Sequence, residues 1–208
     1  AIGLISDKDT VIVCGIGGNQ RISILSWAMR EVFLETQHPR NLTLITAAGL
    51  GGRGIVPGTL EEWALDGLVS EFICSHFETY KAIMKMAEAG KLAVHCIPLG
   101  IMAALVKAAV NGQESVTATA GVGTFCDPRV GCGSEVFTPQ TFTSEVDPLY
   151  STGLITAEGD KLRYRMPKID VAMINAPAAD AEGNIYIKNC STICESREAA
   201  LAAKQNGG

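Results

Sequence analysis

The sequence predicts an α/β fold: an open, mostly parallel sheet with helices on both faces, plus a small β-hairpin-rich insertion. Two observations support this prediction. Short apolar runs rich in branched residues alternate with helical patterns, and the connections between them are short. In addition, 47% of the 208 residues are hydrophobic and only 19% are charged, which fits a well-buried core.

Strands and helices alternate through the first part of the chain. The predicted strands are Val11–Cys14, Leu42–Thr46, Phe72–Cys74, Leu92–Ile97 and Val116–Thr119. The predicted helices are Ser23–Glu35, Leu60–Leu68, Tyr80–Ala89 and Ile101–Val110. The first helix has an approximate apolar stripe at Ile24, Trp27, Ala28 and Phe33. Strands that alternate with helices in this way imply parallel crossovers.

The character of the sequence changes after Ala120. Gly121–Tyr150 carries glycines, prolines and little periodicity, and an irregular stretch of that length is usually functional or inserted. The elements predicted after it are a hairpin over Leu154–Met166 that turns at Glu158–Asp160, a buried strand at Val171–Asn175, a turn at Asp180–Asn184 into a strand at Ile185–Ile187, and a closing helix over Arg197–Gln205.

Charge and composition exclude several classes of function. A net charge of −5 and a pI near 5.2, with no basic stripe, argue against nucleic-acid binding. Because no apolar run is long enough to cross a bilayer, we expect no membrane span.

Cysteine and histidine spacing predicts no metal site. The seven cysteines form no close C-x-x-C pair, and His38, His76 and His95 are not spaced as ligands. The cysteines are typical of reduced thiols, so we expect a cytoplasmic protein. The chain starts without methionine beside a strand pattern and stops at two glycines after a helical run. We therefore expect one domain, 1–208, that is either cut from a longer two-domain protein or one subunit of a heteromer.

The turn after the first strand only partly fits a dinucleotide fingerprint. Gly15 and Gly17 match, but Gln20 stands at the third glycine position. The second strand ends in Thr46 and two alanines, so it offers no carboxylate for a ribose. Neither glycine cluster is followed by the Gly-Lys-Ser/Thr of a phosphate loop. Two interpretations remain: glycines that permit a tight turn, or bare backbone that a ligand approaches closely.

Further turns follow the second, third and fourth strands. They are Ala48–Gly54, Ser75–Glu78 and Pro98–Gly100. In an open parallel sheet, all of them fall at the carboxyl ends of the strands, where ligands bind. Within them, His76 is either a ligand contact or a satisfied core histidine, and Arg53 either meets an anion or is solvated. Glu135, in a glycine-rich segment, is interpreted as a surface carboxylate.

Taken together and in order, the segments resemble a known family. They are LISDKDTV from Leu4, the GIGG turn, HPRNLTL from His38, the Pro98–Gly100 turn, GTFCDPR from Gly123, IDVA from Ile169 and ADAEGN from Ala179. Across essentially the whole chain, this order resembles the amino-terminal half, or α subunit, of family I coenzyme A transferases, especially the acetate/propionate type. The fold of that family is also similar to that of sugar-phosphate isomerases, which adds a weaker alternative by analogy.

The resemblance implies covalent catalysis by a carboxylate. In that family a glutamate attacks the acyl-CoA thioester, and a glutamyl anhydride and then a glutamyl-CoA thioester follow. It implies no cofactor, coenzyme A being a substrate, and it implies acyl-CoA, a carboxylic acid, a β-type half and an oligomer as partners. The candidate residues for the substrate and oxyanion cleft are Gly17, Gly18, Asn19, Gly51, Gly52, His76, Leu99 and Gly100.

Two departures from the family pattern limit this transfer. The nucleophilic glutamate belongs to the second half, and no matching Ser-Glu-Asn-Gly segment occurs here, so no catalytic residue is expected in this chain. The family's Pro-Gln-Gly turn also has Leu99 in place of the glutamine that donates to the oxyanion. A backbone N–H or Asn19 is the expected substitute. The alternatives are an acyl-CoA hydrolase on the same scaffold and a non-catalytic or regulatory half.

Overall fold

A computed structural model describes residues 1–137, 153–187 and 194–208 of the protein. The strands are β1 (Thr10–Val13), β2 (Leu42–Thr46), β3 (Val69–Cys74), β4 (Ala93–Cys96), β5 (Ser115–Ala118), β6 (Glu135–Phe137), β7 (Ile155–Glu158), β8 (Lys161–Arg165), β9 (Val171–Met173), β10 (Ala178–Ala179) and β11 (Ile185–Tyr186). The α-helices are α1 (Ser23–Thr36), α2 (Lys81–Glu88), α3 (Leu99–Val110) and α4 (Ser196–Gln205).

The main sheet has six strands in the order β6-β4-β3-β2-β1-β9. All neighbours are parallel except β6, which runs antiparallel to β4. The chain therefore builds outward from β1 to β4 and later returns to place β9 on the other edge of β1. The predicted open, mostly parallel sheet is confirmed.

Two hydrophobic cores lie on opposite faces of this sheet. Val11 and Val13 of β1 pack with α1 and α2 on one face, whereas Ile12 packs with α3 and α4 on the other. Because both faces are buried, β1, β2 and β4 are buried at every position and show no strict alternation of apolar and polar residues, although Thr43, Thr46 and His95 interrupt the apolar residues. The prediction of helices on both faces is also confirmed.

One predicted strand belongs to a different sheet. We expected Val116–Thr119 in the parallel sheet, but β5 pairs antiparallel with β8, which pairs with β7 in the predicted hairpin. The reason is that β5 has only one covered face: Val116 packs toward the second core while Thr117 is exposed. The prediction of the hairpin itself is confirmed.

The predicted helix Leu60–Leu68 is wrong in length and type, because only Leu60–Trp63 form a single 3₁₀ turn. Glu61 and Glu62 are buried there and serve as hydrogen-bond acceptors rather than as a solvated helix face. Glu61 accepts from the backbone N–H groups of Gly54 and of Ala82, the latter at the start of α2. The Glu61 carboxylate therefore connects the loop after β2 to the amino terminus of α2, where negative charge is favourable.

The apolar stripe predicted on α1 is partly wrong. Ile24 and Trp27 are 79% and 57% exposed, while Ser26, Met29 and Phe33 form the buried face. The helix begins at Ser23, and its face at positions 26, 29 and 33 is turned toward the core. Because consecutive helical residues are about 100° apart, Trp27 points away from that face. Phe33 was correctly predicted as a core residue.

The remaining predictions have mixed outcomes. Glu135 is exposed, as expected, but it begins β6 rather than lying in a flexible segment. The strand predicted at Ile185–Ile187 is the two-residue β11, paired with β10 around the turn at Asp180. Of the irregular stretch Gly121–Tyr150, positions 138–150 lie outside the described residues.

The buried His95 makes stability depend on pH. Burial lowers the pKa of His95 on β4 to about 4 from an ordinary value of 6.5. As pH falls below 6.5 the unfolded chain binds this proton first, so stability is lost between about pH 6.5 and pH 4, by on the order of 3 kcal/mol. We predict that His95→Asn lacks this contribution, so that the urea-unfolding curves of the wild type and the variant converge toward pH 4.

The control for this prediction is Val94→Ala, since Val94 precedes His95 on β4, is fully buried and does not titrate. It is expected to lower the free energy of unfolding by the same amount at every pH in that range. Parallel pH profiles for the wild type and His95→Asn would contradict the argument.

Candidate functional site

An apolar cleft opens at the carboxyl end of β1. It has a volume of about 280 Å³, just below the ~300–1,000 Å³ range for small-molecule sites. It lies where the chain reverses direction across the sheet, since β2 and β9 flank β1 on opposite edges. Ligands of open α/β sheets bind at such a switch point. The lining residues are Ile12, Val13, Cys14, Gly15, Ile16, Ala47, Ala48, Leu99, Gly100, Ala103, Val106, Cys194 and Glu195.

The wall formed by Ala47 and Ala48 is fixed by a buried tyrosine. The hydroxyl of Tyr80 donates to the carbonyl of Ala48 at 2.9 Å and accepts from the N–H of Leu50 at 2.8 Å. Burial raises the pKa of Tyr80 well above its usual value, so the donated proton stays in place. The hydroxyl of Ser75 adds a bond to the carbonyl of Ala47. The loop after β2 is thus held by side chains that follow β3.

The opposite wall of the cleft is the amino terminus of α3. Leu99 and Gly100 start this helix, and Pro98 provides no side-chain cap. The carbonyl of Pro98 accepts from Ile101 and Met102, whereas the N–H groups of Leu99 and Gly100 have no acceptor within the described ranges. Because the first amides of a helix carry partial positive charge, this wall offers two donors to an oxygen that develops negative charge.

The described part of the cleft holds few groups that could do chemistry. Burial raises the pKa of the Cys14 thiol to about 12, so it is not a thiolate nucleophile near neutral pH. Glu195 is the only charged residue among the described lining residues. The remaining polar groups of the described lining are Cys194 and Glu195, a thiol and a carboxylate that are consecutive in the chain.

The glycine turn is built mainly for its own conformation. Gly15, Gly17 and Gly18 have φ values of +141°, +56° and +98°. Ile16 and Asn19 bond to each other through their backbones, and the N–H of Gly17 donates to the carbonyl of Gly49. These amides are therefore occupied, and α1 begins only at Ser23. The turn does not form a phosphate cradle at a helix start.

The candidate residues of this turn lie outside the cleft lining. Gly17, Gly18 and Asn19 are exposed, while Gly15 and Ile16 reach the cleft. Glycine is required at position 18 by the backbone itself, because φ is +98° there and a side chain would be strained.

Gly51, Gly52 and His76 belong to a neighbouring cluster that does not line the cleft. Arg53 pairs with Glu78 at 2.6 Å, and His76 lies 3.5 Å from the same carboxylate. His76 is 52% exposed, so its interpretation as a core histidine is wrong. A Cβ atom on Gly51 would lie 2.1 Å from the carbonyl oxygen of Thr79, so this glycine serves close packing between two loops.

Sequence reasoning missed several residues of the site. Ala103 and Val106 follow Leu99 at helical spacing on α3, a pattern that would have identified them. Tyr80 was placed at the start of a helix without a role. Glu195 comes from a segment far along the chain and carries no local pattern that points to the cleft.

Two other features concern ligands and location. Within the ranges 1–137, 153–187 and 194–208, no three histidine, cysteine, aspartate or glutamate side chains are grouped to hold a metal ion. Across the same ranges, no helix has the length and apolar character needed to traverse a bilayer.

Comparisons with known proteins show which proteins this chain is similar to. A family model described as "Coenzyme A transferase" matches residues 1–204. The caffeate CoA-transferase of Acetobacterium woodii is 32% identical over 212 residues, which cover 100% of this chain and 38% of that protein. The acetate CoA-transferase YdiF of Escherichia coli K12 is 30% identical over 213 residues, with the same two coverages. The chain therefore spans well under half the length of these relatives.

Solved structures agree with these matches. The apoenzyme of acyl-CoA transferase YdiF from Escherichia coli O157:H7 superposes with a TM-score of 0.86 at 28% identity, covering 100% of this chain and 39% of that one. The glutaconate coenzyme A-transferase of Acidaminococcus fermentans has a TM-score of 0.62 at 18% identity, covering 96% and 61%, and supports the fold alone.

We predict that Tyr80→Phe destabilises the protein by roughly 1–3 kcal/mol, because the N–H of Leu50 and the carbonyl of Ala48 lose a buried partner. Urea unfolding measures this change. Tyr186→Phe is the matched control: its hydroxyl binds Asp180 in an exposed setting, so its effect is expected within about 0.5 kcal/mol. Equal effects of the two substitutions would show that the Tyr80 hydroxyl does not hold the loop.

Proposed function

The chain belongs to the coenzyme A transferase family, and from this premise we propose that it forms the amino-terminal half of an enzyme that transfers CoA between a short-chain acyl-CoA and a carboxylic acid. The observation that supports this proposal best is the apolar cleft at the carboxyl end of β1. On one of its walls, the N–H groups of Leu99 and Gly100 have no acceptor among the residues that the structure describes. An acyl group fits the apolar lining, and the two amides suit a developing oxyanion.

In the proposed reaction, a glutamate outside this chain attacks the thioester carbonyl carbon, and the CoA thiolate leaves. The thiolate then attacks the glutamyl carbonyl of the resulting anhydride, which releases the first acid and leaves glutamyl-CoA. The acceptor carboxylate then attacks the carbonyl of glutamyl-CoA, which releases the CoA thiolate and forms a second anhydride. The thiolate attacks the acyl carbonyl of this anhydride, so that the new acyl-CoA departs and the glutamate is regenerated. Splitting one exchange into such steps is the advantage of covalent catalysis.

Each step passes through a tetrahedral carbon with a negatively charged oxygen. The contribution that we propose for this chain is stabilisation of that oxygen by the amides at the start of α3. Preorganised donors of this kind are worth most where water is excluded, and the apolar lining of the cleft favours that exclusion.

The proposal extends to partners and setting. We propose that a β-type half, on the same chain or on another, completes the cleft, and that the enzyme is a cytoplasmic oligomer in short-chain acyl-CoA or ketone-body metabolism. The cysteine-rich composition without close pairs supports a reducing compartment. The relatives at 28% identity and above are named transferases, so hydrolysis is not favoured.

The experiment uses the intact natural protein that contains this chain, with its partner subunit where one exists. Incubated with an acyl-CoA and radiolabelled acetate, a transferase forms labelled acetyl-CoA, and CoA leaves the donor only when an acceptor acid is present. Release of free CoA without an acceptor would support the hydrolase instead. No turnover of any acyl-CoA would support a non-catalytic half.

A substitution at Leu99 tests the oxyanion assignment. We predict that Leu99→Gln raises kcat by at least tenfold, because the loss of one oxyanion donor typically costs about 10²–10³ in turnover and an amide would restore one. Leu99 is half-exposed on the cleft wall, so the glutamine side chain has room. Initial rates at saturating acyl-CoA measure this effect.

The matched control is Val130→Gln, an exposed apolar residue that does not line the cleft. This variant is expected to keep the wild-type kcat. An unchanged or lower kcat for Leu99→Gln would mean that the backbone amides already supply all the donors that the reaction uses.

A further inference from the structure

Three cysteine thiols lie near one another at the carboxyl end of β4. Cys96 is the last residue of this strand, and its N–H donates to the carbonyl of Ser134 at 2.7 Å. That bond holds the segment before β6, which contains Cys126 and Cys132, against the end of the strand. Cys96 and Cys126 are buried, whereas Cys132 is exposed. One thiol of the group is therefore within reach of solutes.

A rigid turn over 127–131 separates Cys126 from Cys132. The buried carboxylate of Asp127 accepts from the N–H of Gly123 at 3.0 Å and from the N–H of Arg129 at 3.0 Å. The guanidinium of Arg129 donates to the same carboxylate at 2.7 and 2.8 Å. The backbone bond that closes the turn runs from the N–H of Gly131 to the carbonyl of Asp127 at 2.8 Å. These bonds fix the two chain segments that enter and leave the turn.

The two cysteines face each other just outside this turn. The N–H of Gly133 donates to the carbonyl of Phe125 at 3.1 Å, so Cys126 and Cys132 lie between this bond and the one that closes the turn. This is the place of a non-hydrogen-bonded pair in an antiparallel ladder, where Cα atoms are ~4.5 Å apart. A disulfide needs a Cα separation of ~4.4–6.8 Å. The Sγ atom of Cys132 lies 3.8 Å from the carbonyl oxygen of Phe125, so this side chain is turned toward the opposite segment.

The protonation of the thiols decides where oxidation begins. Burial raises the pKa of Cys126, and the nearby Cys132 adds to the increase. Burial also raises the pKa of Cys96 to about 12. Near neutral pH both groups are therefore protonated, whereas the thiolate is the form that attacks a disulfide. The exposed Cys132 is thus the thiol that reacts first.

From this arrangement we propose that Cys126 and Cys132 form a reversible oxidation site, which a low-molecular-weight disulfide converts to an intramolecular disulfide. The thiolate of Cys132 attacks one sulfur of the small disulfide, and one small thiol leaves. Cys126 then attacks the Cys132 sulfur of the mixed disulfide, and its proton passes to the second small thiolate as that group leaves. Two protein thiols are oxidised, the small disulfide is reduced to two thiols, and an added dithiol reverses the exchange.

Peptide mapping tests this site on the intact natural protein that contains the chain. The protein is incubated without denaturant with oxidised glutathione, the remaining thiols are blocked with iodoacetamide, and trypsin is added. Because trypsin cleaves after Lys107 and Arg129, the residues Cys96, Cys126 and Cys132 fall on three separate peptides. We expect mass spectrometry to find the peptides of Cys126 and Cys132 as a linked pair that dithiothreitol separates. Linkage of Cys126 to Cys96, glutathione on Cys132 without the linked pair, or no modification of either residue would overturn the proposal.

Single substitutions identify the order of the two steps. Cys126→Ser is expected to stop the reaction at glutathione bound to Cys132, and Cys132→Ser is expected to abolish the linked pair. Cys96→Ser is the matched control, because it removes a buried thiol beside Cys126 and leaves the turn intact. It is expected to keep the linked pair at the wild-type yield, and its loss in this variant would overturn the assignment. The wild-type digestion needs no substitution, so its result stands even if a variant fails to fold.

The oxidation site and the transferase activity can fail separately, because peptide mapping needs no turnover. A protein that transfers CoA but gives no linked pair lacks the oxidation site alone. A protein that gives the linked pair but transfers no CoA lacks the proposed activity alone. Disulfides in a reducing compartment are usually transient and redox-sensing, which fits a bond that a dithiol reverses.

Discussion

The structure depends on the complete enclosure of β1. This strand has parallel partners on both edges, β2 and β9, and helices on both faces. Val11, Ile12 and Val13 are almost entirely buried as a result. A strand enclosed in this way can present a ligand site only where it ends, because every side chain along it is used in packing. The cleft at Gly15 and Ile16 is therefore a consequence of topology before it is a consequence of particular residues.

Leaving the sheet creates a second problem, because the peptide groups beyond each strand lose their ladder partners while still buried. Side chains from other connecting segments form hydrogen bonds to these peptide groups instead. Tyr80, before α2, satisfies the loop after β2, and Glu61 satisfies a more distal loop and the start of α2. The cleft wall at Ala47 and Ala48 is rigid because these bonds cross between loops. Binding geometry and fold stability are thus carried by the same hydrogen bonds.

Much of this could be predicted from the sequence, and the failures have physical causes. Strands buried on both faces are short and rich in branched apolar residues, so the parallel sheet was predictable, whereas the sheet to which β5 belongs is a tertiary property. Leu99 was found because it follows a strand end. His76 also follows a strand end, but its side chain lies beside Glu78 and outside the lining of the cleft, which the sequence pattern does not reveal. The register of α1 and the position of Glu195 depend on packing between segments distant in sequence.

The glycine turn and the start of α3 have different roles at the cleft. The turn uses the amides of Ile16, Gly17 and Asn19 to hold itself and the neighbouring loop, so it supplies shape. The helix leaves the amides of Leu99 and Gly100 free among the described residues, so it supplies donors. Between them lies an apolar surface that keeps the local dielectric low, which strengthens any charge interaction made there. A wall of this kind is most effective against a charge brought from outside the chain, since a nucleophile within it would itself be costly to keep ionised.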